Sequence, residues 1–115
     1  MDYPADATFY VRLSLMHPKP GEDERVSRLM DDLLEFLATQ PGYVRGYKLS
    51  GEPHDPQGRV GRLTVWSSEA DANHAATTQH DLSVRSELMQ LIEEGSHVER
   101  SYTAIDLQLA KASPS

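Results

Sequence analysis

The clearest order in this sequence lies between Thr8 and Met16, where Phe9, Val11, Leu13 and Leu15 alternate with Tyr10, Arg12 and Ser14. A period of two sends successive side chains to opposite faces of an extended chain, so the segment predicts a β-strand. His17-Pro-Lys-Pro-Gly ends it, because proline supplies no ladder N–H and Gly21 relaxes the turn. From Glu22 to about Thr39 the period changes, and Val26, Leu29, Met30, Leu33 and Leu37 recur at the three- and four-residue steps of an amphipathic helix. Pro41-Gly42 stops the helix, and Tyr43 to Ser50 predicts a second strand with Tyr43, Tyr47 and Leu49 on one side. Gly51 to Gly58, with Pro53 and Pro56, reads as a long hairpin-type loop.

Val60 to Ser67 predicts a third strand, with Leu63 and Val65 on one side and Arg62, Thr64 and the single tryptophan, Trp66, on the other. Ser67 or Ser68 is placed to cap a helix, and Asp71 suits the positive end of its dipole. Ala70, Ala72, Ala75 and Ala76 extend that short helix. A further helical segment begins near Asp81, carries Leu82, Val84, Leu88, Leu91 and Ile92 as its apolar stripe, and closes at Gly95. Val98 to about Leu107 is the last strand. Residues 1–7 then read as an N-terminal arm, 8–107 as one folded domain, and 108–115 as a polar tail that frays unless a partner orders it.

Strand, helix, strand, strand, helical region, strand is the order of a ferredoxin-like α+β fold, βαββαβ, with an antiparallel sheet and both helical parts on one face. Parity sets Phe9, Val11, Leu13, Leu15, Leu63 and Val65 on apolar sides, and Tyr10, Arg12, Arg45, Tyr47, Arg62, Trp66, Arg100 and Tyr102 on sides mixing arginine with aromatics. Such a mixture is typical of interfaces and pockets. Covered by the same sheet of a second chain it would close a dimeric α/β barrel, so a homodimer is expected.

Composition narrows the chemistry. A length of 115 residues suits one domain, and the absence of cysteine removes disulfides, thiol nucleophiles and cysteine-bound zinc. The net charge is −7 without a basic block, which disfavours nucleic acid as a partner. The acidic residues gather in Glu22 to Glu35 and Glu87 to Glu99, among apolar residues at helical spacing, as solvated helix faces do. No apolar run approaches the roughly 20 residues of a membrane span, and the first residues have neither the basic start nor the apolar stretch of a secretory signal, so a cytoplasmic location away from membranes is expected. His17, His54, His74, His80 and His97 show no His-x-x-x-His or HExxH spacing, and no glycine-rich phosphate loop is present. No metal, flavin, heme or other cofactor is expected.

Several stretches together resemble the antibiotic biosynthesis monooxygenase family of dimeric α+β barrels: the Lys19-Pro20-Gly21 turn, Gln40-Pro41-Gly42-Tyr43 entering the second strand, and Leu63-Thr-Val-Trp66-Ser-Ser-Glu-Ala70. The resemblance spans about Thr8 to Ile105, and His74 and His80 resemble two histidines common in the family's next helical stretch. It implies a cofactor-independent monooxygenase in which the anion of a small aromatic quinol or phenol itself reduces dioxygen, while the protein supplies deprotonation and electrostatics. By that likeness Trp66, Arg85 and His74 are the expected catalytic residues: an indole N–H donor, a guanidinium for a phenolate or peroxide, and a base. Tyr47, His80 and Arg62 are the expected substrate-binding residues. Ala72 and Arg62 stand where the family's polyketide oxygenases have tyrosine and asparagine, which favours the alternative of a non-catalytic homodimer that binds a small apolar ligand. The heme-degrading branch is a poorer match, since the only asparagine here is Asn73 and the tryptophan ends the third strand.

Overall fold

A computed structural model describes residues 3–51, 54 and 58–112. Most of the expected Pro53 and Pro56 loop, and the end of the tail, lie outside the described residues. The first strand, β1 (Thr8–Met16), follows a single 3-10 turn at Ala5–Ala7. Then come α1 (Asp23–Leu37), β2 (Tyr43–Leu49), β3 (Val60–Trp66), α2 (Glu69–Ala76), α3 (Gln79–Leu91) and β4 (Val98–Ile105). The strands form one antiparallel sheet in the order β2-β3-β1-β4, the split βαβ arrangement of the ferredoxin-like α+β fold.

Local chemistry explains the boundaries. Ser68 caps α2 by accepting from the Asp71 backbone N–H at 3.2 Å while its hydroxyl donates to the Asp71 carboxylate at 2.9 Å. Thr78 caps α3 in the same way, accepting from the Asp81 N–H at 3.3 Å, so α3 starts two residues before the expected Asp81. Gly42 takes a positive φ of 83° in the turn into β2, and an added Cβ there would strike the Asp71 side chain. The expected frayed tail is corrected by a further helix, α4 (Leu107–Ala112). Its signal is Asp106, whose carboxylate accepts from the backbone N–H groups of Gln108 at 2.9 Å and Leu109 at 3.1 Å.

The core lies between the sheet and the helices, where Val26, Met30, Leu33 and Leu37 of α1 meet Trp66, Ala72, Ala75, Val84, Leu88 and Leu91. Strand register then corrects the expected surface of arginines and aromatics. Tyr10 pairs with Trp66, Arg12 with Thr64 and Ser14 with Arg62, and these residues face the helices. Arg45 and Tyr47 pair with Val65 and Leu63, Tyr102 and Arg100 with Val11 and Leu13, and these share the face without helices. Parity alone says which residues of one strand travel together; only the register aligns the sets between strands. The result is inverted from the usual order, with a polar band under the helices and the apolar set of Phe9, Val11, Leu13, Leu15, Leu63 and Val65 on the open face.

Candidate functional site

That polar band is where the chain departs furthest from what stability alone favours. Four polar or charged residues are buried there: Ser14, Arg62, Thr64 and Asp81. The two-residue period of β3 delivers Arg62, Thr64 and Trp66 to the helix side, and β1 brings Arg12 and Ser14 alongside. Helical spacing places Asp81 and Arg85 one turn apart on α3, and Glu99 of β4 pairs with Ser14.

The ion pairs in this band are long. Arg85 sits between two carboxylates, with Nη1 3.7 Å from Asp81 Oδ1 and Nη2 3.8 Å from Glu99 Oε2. Neither is a hydrogen bond, so the guanidinium keeps donors free of those carboxylates. Asp81 is 3% exposed, and its Oδ1 is buried with no hydrogen-bond partner among the described residues. Arg62 is 6% exposed, and its side-chain hydrogen bonding among the described residues is a soft 3.9 Å contact to the sulfur of Met30. Removing charges from water is costly unless good partners replace it, and here the partners are distant. Burial accordingly pushes the Asp81 carboxyl up, against the pull of Arg62 and Arg85, and burial pushes Arg62 down, against Asp81.

Two spaces share Arg62 and Arg85. The inner one, about 20 Å³, is lined also by Arg12, Thr64, Trp66, Ala72, Asp81 and Glu99; it has room for about one water molecule. The outer one, about 340 Å³, opens between α3 and the sheet and is walled by Met16, Leu82, Leu88 and Met89, with Ser86 and His97. His97 Nε2 lies 2.9 Å from Ser14 Oγ. Burial lowers the His97 pKa below its ordinary value; Glu99 opposes the shift, and Arg62 and Arg85 add to it. An apolar wall with two guanidiniums and an imidazole at its base suits a small molecule with an apolar body and an acidic or anionic group.

Of the six residues expected from the sequence, the structure brings together Arg62, Arg85 and Trp66. Trp66 belongs to the inner space, and its indole N–H already donates to Thr64 Oγ1 at 3.0 Å. The other three lie apart. His74 is exposed on α2. His80 stacks on Phe36 with ring centroids 4.2 Å apart and sits 3.5 Å from Asp32, at the α1–α3 surface. Tyr47 is on the open sheet face, where its hydroxyl accepts from Arg45 at 3.4 Å. Sequence reasoning missed Asp81, Glu99, Arg12 and His97. A signal was present in Asp81 and Arg85, an i, i+4 pair of opposite charge flanked by Leu82, Val84 and Leu88. Among the described residues no group of three or more His, Asp or Glu is placed to hold a metal ion, and no helix is long and apolar enough to cross a membrane.

No family model and no curated protein sequence matches this chain. Solved structures do. SnoaB of Streptomyces nogalater, a cofactor-independent oxygenase, superposes with a TM-score of 0.71 at 19% identity, over 84% of this chain and 92% of that one. A Nitrosomonas europaea protein provisionally named an antibiotic biosynthesis monooxygenase gives 0.71 at 20% identity, over 81% and 95%. SO0527 of Shewanella oneidensis gives 0.76 at 17% identity, over 91% and 99%. Identities this low establish the fold, and it is the α+β fold that the sequence resemblance implies.

Proposed function

We propose that this chain is a homodimeric monooxygenase that oxidises a small phenol or quinol with dioxygen, taking the electrons from the substrate. One observation carries the reading: Arg62 and Arg85 converge at the base of an apolar-walled pocket, and the two carboxylates beside Arg85, at 3.7 and 3.8 Å, are too far to take its hydrogen bonds. That arrangement holds an aromatic ring by its faces and its oxygen by charge.

The chemistry asks the protein for electrostatics. A bound phenolate passes one electron to dioxygen, the resulting radical and superoxide join at a ring carbon, and the peroxide collapses. One oxygen atom stays as a new carbonyl and the other leaves as water, so a phenol and dioxygen become a quinone and water. Negative charge moves from phenolate to peroxide within a few ångströms, and two fixed guanidiniums stabilise it at both ends without reorganising. Trp66, tied to Thr64, forms the inner wall with Ala72. The structural likeness to a cofactor-independent oxygenase supports this reading.

The proposed dimer covers the open face. Arg45, Tyr47, Arg100 and Tyr102 surround its apolar centre, the composition that protein interfaces favour.

A second reading, a non-catalytic dimer that binds a small apolar ligand, is favoured by Ala72. This small side chain lines the inner space where the resembling oxygenases carry tyrosine. An oxygen electrode and a panel of quinols and phenols separate the two. Uptake of one dioxygen per product, falling about 10- to 100-fold in kcat/KM for Arg85→Gln, is the result expected of the oxygenase, since a lost charged hydrogen bond is worth about 1.5–3 kcal/mol. Thermal stabilisation by the same compounds without oxygen uptake leaves the binder.

A further inference from the structure

We propose that His97 is the base of this pocket: it takes the proton from a phenolic hydroxyl, so that the ligand is held as its anion beside Arg62 and Arg85 while the proton stays in the complex on the imidazole. This rests on the pocket assigned above. It adds the acid–base step, which His74, the expected base, and His80, an expected substrate-binding residue, do not perform from their positions on the outer surface.

The geometry has three parts. His97 lies just before β4 and lines the pocket together with both arginines, so a hydroxyl seated at its base meets the ring and the guanidiniums at once. Ser14 is buried, and its Oγ stands 2.9 Å from Nε2. With the Nε2 proton donated to that oxygen, Nδ1 carries the lone pair, and Nδ1 is not among the buried unpartnered atoms. A fixed ring with one nitrogen engaged by an orienting group and the other open is what a general base needs. The charged groups facing the imidazole are Glu99 of β4, Arg62 of β3 and Arg85 of α3. Burial keeps the free imidazole neutral at ordinary pH, ready to accept. In the transfer the O–H bond breaks, the N–H bond forms, and the electron pair stays on oxygen. The new imidazolium then faces the phenolate, and the complex as a whole gains no charge.

Retention of the proton has a thermodynamic signature. A site that binds only preformed phenolate loses affinity about tenfold for each pH unit below the ligand's own pKa, whereas a site that keeps the proton does not. The probe is 4-nitrophenol, whose yellow anion and colourless neutral form are distinguished by absorbance. Wild-type protein is expected to turn the bound probe yellow below the probe's pKa, with an affinity nearly level across that range. His97→Gln is expected to bind with the full tenfold-per-unit fall, and Ser14→Ala, which keeps the imidazole but frees it, with an intermediate fall and a fold checked by circular dichroism. No binding by wild type, binding of the colourless form, or the same pH profile in wild type and His97→Gln would overturn the proposal. Oxygen uptake is scored separately. Quinol oxidation with an unchanged His97→Gln profile removes only the base, while anion binding without oxygen uptake removes only the oxygenase.

Discussion

Trp66 donates its indole N–H to the hydroxyl of Thr64, two residues back on the same face of the same strand. The ring meets Tyr43 edge-on at 5.5 Å and is 2% exposed. An N–H satisfied inside the strand is not waiting for a ligand. Trp66→Phe should therefore lower stability, by about 1–3 kcal/mol for a lost hydrogen bond and a smaller ring, and leave the affinity for 4-nitrophenol within about threefold. Chemical denaturation and a binding titration on one preparation check both halves; a large loss of affinity with full stability is the contrary result.

The open face makes a separate prediction. Tyr102 pairs with Val11 across the sheet and is 53% exposed in the single chain, so a charge placed there leaves the helix side of the core untouched. Tyr102→Asp should raise the dimer dissociation constant by about a hundredfold or more, because an unpaired carboxylate buried between two sheets costs several kcal/mol. Sedimentation equilibrium at micromolar concentration measures it, with wild type expected as the dimer and a folded monomer expected for the variant.

Acid should weaken the fold through His97. Burial holds its pKa below the ordinary 6.5, so as pH falls through that value the unfolded chain takes up a proton that the folded chain refuses. This part of the stability is complete above 6.5 and is lost as pH falls toward the depressed folded value. The urea midpoint of wild type should fall between about pH 7.5 and about pH 5.5, and His97→Gln should fall less over the same interval. Asp81 acts in the opposite sense. Its pKa is raised above 3.8 by burial, so its contribution is lost as pH rises through the folded value.

Gly61 tests the sheet itself. It pairs with Leu15 on one side and Leu49 on the other, and an added Cβ would run into the backbone carbonyl of Ser14. Backbone in a central ladder has no slack to yield, so Gly61→Ala should destabilise by on the order of 3 kcal/mol, and with it loosen Ser14 beneath His97. Thermal melting and the pH profile of 4-nitrophenol binding are expected to change together.

Most of the fold was legible because its elements announce themselves locally. The alternation of Phe9 to Leu15, the stripe of Val26, Met30, Leu33 and Leu37, and the Pro-Gly at 41–42 each answer to backbone periodicity or turn chemistry. The assignment of faces was not legible, because it depends on register between β1, β2, β3 and β4, and the usual guide failed where the helices cover Ser14, Arg62 and Thr64 in place of an apolar set. For the site, Arg62, Arg85 and Trp66 came from family likeness. Asp81 and Glu99 hid among helix and strand-end acids whose ordinary role is solvation, and His97 was one unpatterned histidine among five until Ser14 was brought under it.

In the proposed dimer, the apolar set of Phe9, Val11, Leu13, Leu15, Leu63 and Val65 on the open face would place part of the stability of each chain in a second molecule. A chain so paired would have no melting temperature of its own, only one for each concentration, and dilution would act on it as a mild denaturant. The supply of the chain would then set both how much of it is present and how durable each copy is.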